Sequence, residues 1–392
     1  MTGPDENLRQ YATDRQWEYL TATCGHGSAR SAALALGVNP SAVQRSINAL
    51  KAKAAKHGYA PEYDVVHPAP PGFRSQGHST LYDRHGNVRL QWHKTTIDRD
   101  KQLELLREAI QGACDDLPRL RPRKRAAKGV RDDLMVVVPF GDPHFGMYSW
   151  AEETGADFNI DIAREDLCGA VDYLIAQSPP AGRCVIANLG DFFHADNLEG
   201  KTARSGNILD MDTRLPKVIR VGLAAMRQAI ATALSRHETV EVVNAPGNHD
   251  DVLGMAMSIM LANIYENEPR VKVHDDPRRR FYVRHGKVLI GITHGDQTRD
   301  RDLPGIMATE RAEDWGATKH RYFYRGHHHH DTKEEFNGCI VEQFRTLAPG
   351  DAYAVGHGWL SGRDMKLIVH DERYGEVSRV TCSIDLLRGL AA

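Results

Sequence analysis

Five short clusters of metal-ligand residue types stand in order along the second half of this 392-residue chain. They are Gly141-Asp142-Pro143-His144, Gly190-Asp191-Phe192-Phe193-His194, Gly247-Asn248-His249-Asp250, Thr293-His294-Gly295-Asp296 and Gly326-His327-His328-His329. Asp, His and Asn offer oxygen and nitrogen donors to hard and borderline divalent cations. The D-x-H spacing of Asp142 and His144 lets a carboxylate and an imidazole reach one cation from a single turn. Asp191 has two oxygens and can bridge two cations. Asn248 offers a neutral carbonyl oxygen, and His249 beside it offers a proton. Two cations about 3.5–4 Å apart lower the pKa of a shared water and screen phosphate charge. The chemistry implied is hydrolysis at a phosphorus ester. Each cluster alone has an ordinary reading as a capped turn, a loop glycine or a satisfied histidine; five in one order do not.

Such donors need rigid elements behind them, and the sequence supplies apolar runs. Leu134–Phe140, Cys184–Leu189, Val240–Asn244, Val288–Ile292 and Tyr322–Tyr324 each read as a buried strand leading into one cluster. Ligands arriving from the ends of several strands are how a sheet protein assembles a binuclear site. Glu335–Phe344, Met365–Val369 and Val377–Cys382 read as further strands.

Composition is that of an ordinary globular protein, with 41% hydrophobic and 26% charged residues. No apolar run reaches the roughly 20 residues needed to cross a bilayer, and no secretory signal is legible at the start, so a cytoplasmic location without membrane contact is expected. The six cysteines are scattered without a C-x-x-C pair, which predicts free thiols in a reducing compartment. Net charge is −2, but it is unevenly placed. Residues 1–131 hold 21 Lys/Arg against 13 Asp/Glu, leaving 29 against 39 for the rest. A basic front and an acidic back suggest a polyanion partner for one and metal for the other.

In the front part, residues 14–57 read as three helices, with Asp14 as the expected cap of the first. The second covers Ser28–Leu36, and Gly37-Val38-Asn39-Pro40 makes a tight turn into the third. Val43, Ile47, Leu50 and Ala54 then form one buried stripe. Gln44, Arg45 and Asn48 fall on the opposite face, where such side chains can read base edges, and Lys51, Lys53 and Lys56 can meet phosphates. The stretch resembles the helix-turn-helix family; a small helical bundle used only for packing is the competing reading. Beyond it come a proline-rich loop (66–78) and a hairpin formed by Ser79–Tyr82 and Val88–Trp92. A helix from Ile97 to Cys114 and a basic linker from Arg119 to Lys128 follow.

The ordered clusters resemble the calcineurin-like metallophosphoesterase family, whose pattern is D-x-H, G-D, G-N-H-[DE], a lone His and G-H-x-H. The resemblance spans residues 133–332. It implies that Asp142, His144 and His329 hold one metal and Asn248, His294 and His327 the other, with Asp191 bridging and His249 as the acid. The histidine run leaves a second frame, His328 and His330, which the preceding Gly326 disfavours. Oxygen and nitrogen donors suit Mn, Fe, Zn or Mg, and the resemblance favours two Mn ions. His194 completes a G-D-x-x-H form that looks like the SbcD-like DNA-repair nuclease branch, where this histidine assists phosphodiester cleavage. Its other reading is a partner of a metal ligand. The polar segment Asp196–Arg214, with Lys201 and Arg204, could line a substrate groove. The chain departs from that branch in lacking a long C-terminal capping region and in having an N-terminal module, an arrangement that looks more like bacteriophage or mobile-element phosphoesterases.

The expected architecture is α/β: a helix-turn-helix module in residues 1–60, then hairpin, helix and basic linker in 61–131. A four-layer α/β/β/α metallophosphoesterase sandwich fills 132–392. The expected activity is two-metal hydrolysis of nucleic acid, most simply a DNA exo- or endonuclease in which a metal-bridging hydroxide attacks phosphorus. The alternatives are a phosphatase or small-molecule phosphodiesterase, and a DNA-binding regulator with a dormant hydrolase fold, which the complete ligand set opposes. DNA is the expected partner; homo-oligomerisation and the need for an ATPase partner stay open.

Overall fold

The computed structural model describes residues 3–57, 59–60, 65–66, 73–83, 88–97, 129–202 and 206–391. They fall in two compact units, Met1–Glu108 and Ala109–Ala392.

In the first unit, three helices follow one another: α1 (Asp14–His26), α2 (Ala29–Leu36) and α3 (Pro40–Lys56). The cap of α1 is Thr13, not Asp14. Gln16 N–H donates to the Thr13 hydroxyl at 3.2 Å and Thr13 N–H to the Gln16 side chain at 3.0 Å. This reciprocal pair satisfies two orphan donors, which a lone carboxylate at 14 would not. Gly37 closes α2 at φ 66°, and Val38 N–H reaches back to the Ala33 carbonyl at 3.0 Å, a Schellman closure. Asn39 caps α3 through Ser41 N–H at 2.8 Å. Leu20, Ala33, Val43, Ile47, Leu50 and Ala54 are buried together. Short strands β1 (Tyr59–Ala60) and β2 (Val65–Val66) pair antiparallel, as do the longer β3 (Phe73–Tyr82) and β4 (Val88–Ile97). The strand β3 starts inside the stretch expected to be loop. A register shift between Ser75 and Gly77 breaks the alternation that would have revealed it. Beyond Ile97, which ends β4, the expected helix and the basic linker lie outside the described residues.

The second unit begins β5 (Arg131–Phe140), α4 (Ile160–Gln177), β6 (Ala181–Asn188), α5 (Leu215–Arg236), β7 (Thr239–Asn244), α6 (Asp251–Tyr265) and β8 (Val271–Val273). It continues with β9 (Phe281–His285), β10 (Val288–Ile292), α7 (Leu303–Glu310), β11 (His320–Arg325), β12 (Thr332–Phe336) and β13 (Cys339–Gln343). Last come β14 (Asp364–Asp371), β15 (Gly375–Ser383) and α8 (Ile384–Ala391). One sheet has the order β15-β14-β5-β6-β7-β8 and the other β12-β13-β11-β10-β9. The strands β5 to β8 are mutually parallel, and so are β10, β11 and β13. The run Glu335–Phe344 is a hairpin rather than one strand. Asn337 and Gly338 take φ of 45° and 80°, the two positive values that a tight hairpin turn requires.

The strands sort their residues by parity. Val136, Val138 and Phe140 of β5 pack with helices α4 and α5, while Met135 and Val137 face Ile290, Ile292 and Tyr324 of the other sheet. In that second sheet Leu289 and Phe323 turn the other way, onto Leu303 and Met307 of α7. Each fully buried aliphatic or aromatic side chain contributes roughly 1.5–3 kcal/mol, so both faces of the strands that carry the ligand loops are held by apolar contact. Among the described residues no helix is long and apolar enough to cross a membrane.

Candidate metal centre

All five clusters begin within three residues of the C-terminal ends of parallel strands: β5, β6, β7, β10 and β11. Their backbone is unusual there. Asp142, His144, Asp191, His327 and His329 have φ of 44°, 48°, 49°, 80° and 58°. Among described non-glycine residues only Asn337 joins them in the left-handed region, which costs L-residues on the order of 1 kcal/mol each. Backbone strain is thus concentrated on expected ligands, and the loops must be held by one another.

They are. His144 N–H donates to the Asp191 carbonyl and Gly326 N–H to the His294 carbonyl, each at 3.0 Å. His327 N–H lies 3.1 and 3.0 Å from the two Asp142 carboxylate oxygens, and His249 N–H donates to Asp191 Oδ1 at 2.8 Å. The buried Asp250 carboxylate accepts from Asp191 N–H, Phe193 N–H and Gly247 N–H, all at 3.1 Å. Two glycines permit the close fit: a Cβ on Gly247 would collide with the Asp191 carboxylate, and one on Gly326 with that of Asp142.

The side chains converge in two groups. Donor atoms of Asp142, His144 and His329 lie within 4.8 Å of one another, as do those of Asp191, His294 and His327. His144 Nε2 and His329 Nε2 face each other at 3.1 Å. His294 Nδ1 lies 2.9 Å from the Leu189 carbonyl, so that nitrogen carries its proton. The other, Nε2, is then left facing Asn248 Oδ1 at 2.9 Å and Asp191 Oδ2 at 3.2 Å. With a neutral imidazole this would be three acceptors turned on one another, an arrangement that needs a proton or a cation in the middle. The donor set therefore fits divalent metal, and Asn248 belongs to the second group. His327 and His329 both point inward, while His328 and His330 are exposed.

Electrostatics fit the same use. Burial is the main cause that takes His144 well below its ordinary value, His194 down to about 3, and His327 and His329 to about 4. These imidazoles stay neutral, the form that binds metal. Burial pushes the Asp142 carboxyl up to about 7. Burial opposes charge on His294 too, but Asp191 and then Asp142 overcome it and hold the imidazolium to about 10.

His194 is buried, with Nδ1 3.1 Å from Nδ1 of His144. Its backbone carbonyl accepts from Nδ1 of His249 at 2.8 Å. The donors of His144, His194 and His249 also lie within 4.8 Å of one another. In the segment expected to line a groove, Asp196 accepts from Val252 and Leu253 N–H at 2.8 Å each, capping α6 in place of the occupied Asp250. Lys201 is exposed and pairs with Glu199 at 3.5 Å; Arg204 lies outside the described residues. In the first unit Gln44, Arg45 and Asn48 share one exposed face of α3, with Lys51 half-buried beside them. Sequence reasoning gave no role to Asp250, Thr346 or Ser361. The Thr346 hydroxyl donates to the Asp142 carbonyl at 2.7 Å and the Ser361 hydroxyl to the His329 carbonyl at 2.6 Å. Only Asp250 carried a signal, its place beside His249.

No protein-family model and no curated protein matches the chain. Similar solved structures include a predicted phosphoesterase from Streptococcus pneumoniae (11% identity, 64% of this chain and 98% of that one, TM-score 0.27). An archaeal phosphodiesterase is similar at 12% identity over 64% and 99% of the two chains (TM-score 0.32). YfcE, a phosphoesterase from E. coli, is similar at 14% identity over 63% and 98% (TM-score 0.33). These likenesses are distant, and the chemistry of the centre stands on its own side chains.

Proposed function

We propose that residues 132–392 form a four-layer metallophosphoesterase sandwich and that the protein is a two-metal phosphodiesterase acting on DNA. The carrying observation is the pair of donor groups, Asp142/His144/His329 and Asp191/His294/His327, with Asn248 turned into the second. The layering reading is supported by the three apolar clusters on and between the two sheets. Two divalent cations, Mn by preference, supply an activated water and neutralise phosphoryl charge when bound. Asp142, His144 and His329 would hold one, and Asn248, His294 and His327 the other, with Asp191 available to both. His249, its Nδ1 fixed on the His194 carbonyl, keeps Nε2 for a proton to the leaving oxygen. His194 steadies the His144 ring. Residues 1–60 are proposed as a helix-turn-helix module that brings the enzyme to DNA, supported by the tight turn before α3 and by the exposed Gln44, Arg45 and Asn48.

The test is hydrolysis with Mn²⁺ of linear duplex, single-stranded DNA and an activated aryl phosphodiester side by side, with His249→Ala as control. Metal-dependent DNA cleavage lost in the variant supports the proposal. Turnover of the aryl diester alone would replace it with a small-molecule phosphodiesterase. Deleting residues 1–60 should weaken DNA cleavage while sparing the aryl diester.

A further inference from the structure

The segment between β13 and β14 leaves the metal centre and returns to it. Near its start Thr346 is tied to the carbonyl of Asp142, and near its end Ser361 is tied to the carbonyl of His329. Asp142 and His329 belong to the same donor group. Between these anchors lies a short helix, Ala352–Gly356, started by the Asp351 carboxylate accepting from Ala354 N–H at 2.8 Å.

The crest of this loop is aromatic and open to solvent. Tyr353 is 56% and Trp359 63% exposed. Ring centroids lie 4.2 Å apart for Tyr353–His357, 5.1 Å for His357–Trp359 and 5.8 Å for Tyr353–Trp359. A second exposed pair adjoins it. The Ser149 hydroxyl donates to the Gly350 carbonyl at 3.1 Å, and Ser149 stands between the exposed Tyr148 and Trp150, just beyond the ligand His144. Contiguous solvent-facing apolar groups of this kind mark interaction or ligand-binding surfaces.

We propose that this loop is a nucleobase subsite, in which Trp359, with Tyr353 set edge-on against it at 74°, stacks on an unpaired base of the strand whose phosphate lies at the metals. The inference rests on the nuclease reading. Two observations choose the occupant. The anchors on Asp142 and His329 make the platform continuous with the centre, and a nucleotide carries its base one sugar away from its phosphate. Trp359, 63% exposed and packed on one side by His357, also offers a flat ring that suits planar heterocycles; base–aromatic stacking tolerates every sequence. Bases inside a duplex have their faces covered, so the subsite selects single strands or frayed ends.

The experiment uses the full chain with Mn²⁺. It measures kcat/KM on a single-stranded oligonucleotide and on an abasic deoxyribose-phosphate strand of equal length, for wild type, Trp359→Ala, Tyr353→Ala and Trp359→Phe. The preference for the base-bearing strand should fall roughly 5- to 100-fold in Trp359→Ala, chiefly through KM, and Trp359→Phe should recover most of it. A preference unchanged in both alanine variants overturns the subsite. So does a wild-type dimer that Trp359→Ala splits in sedimentation, since the loop would then be an interface between copies. If wild type turns over an aryl phosphodiester but neither strand, the nuclease reading fails and the subsite with it. Cleavage of both strands with no wild-type preference sinks the subsite alone.

Discussion

Replacing Gly326 with alanine tests the claim that glycines in these clusters make room for ligands. Gly326 lies outside the left-handed region, so the change adds volume without altering backbone preference. The new Cβ would collide with Oδ2 of Asp142 and sit 3.1 Å from its Cγ and Oδ1. An ordinary C···O contact is about 3.3 Å or more, so the carboxylate must move by close to 1 Å. Metal–ligand distances tolerate only about 0.2 Å, and His327 N–H, which donates to the same carboxylate, would be pulled along. Overpacking of this kind costs about 1–3 kcal/mol, a fraction of the stability of a whole domain. Gly326→Ala should therefore stay folded by circular dichroism but bind Mn²⁺ at least about tenfold more weakly by titration calorimetry. Its kcat/KM should fall about a hundredfold. Metal affinity and turnover both within threefold of wild type would refute the reasoning.

His249→Ala should retain both metals if its side chain is the acid proposed above and not a ligand, yet lose about 10²- to 10⁴-fold in kcat; loss of bound metal by elemental analysis would contradict that role. Metal affinity should depend on pH with a definite sign. Asp142 and His294 are raised to about 7 and about 10 in the metal-free protein, so protons occupy the site below those values and cations must displace them. Mn²⁺ affinity should rise about tenfold per unit between pH 7 and 8 and more steeply below 7; a flat profile would oppose it. Away from the centre, burial lowers His370 to about 3 and His237 to about 4. Both folded values lie below the unfolded one of about 6.5, so their contribution is present above pH 6.5 and lost as pH falls toward 4. Each loses about 3 kcal/mol over that window. Urea unfolding of His370→Gln at pH 7 and 4.5 should show a smaller decline than wild type, and an equal decline would count against it.

The convergence of the donor clusters was legible because each is local: an apolar run, a turn, then donors within a few residues. The capping of α3 by Asn39 and Pro40 was legible for the same reason. What escaped is of two kinds. Thr346, Ser361 and the Leu189 carbonyl act on ligands far from them in sequence, and only packing brings them there. Two other features were local but outweighed by weaker cues. The Asn337-Gly338 turn was hidden inside a run read as one strand. The Thr13/Gln16 capping box was passed over for the nearer acid at Asp14. His194 shows how one residue type leaves its role open: G-D-x-x-H places a histidine in the cluster and allows both readings, and only the 3.1 Å approach to His144 shows which neighbour it would partner.

The most direct test of the account is equilibrium dialysis of chelator-treated protein against Mn²⁺, with cleavage of single-stranded DNA followed in the same samples. The account predicts two ions per chain, and cleavage that appears only as the second site fills. One ion or none at saturation, or cleavage that survives the chelator, would contradict it.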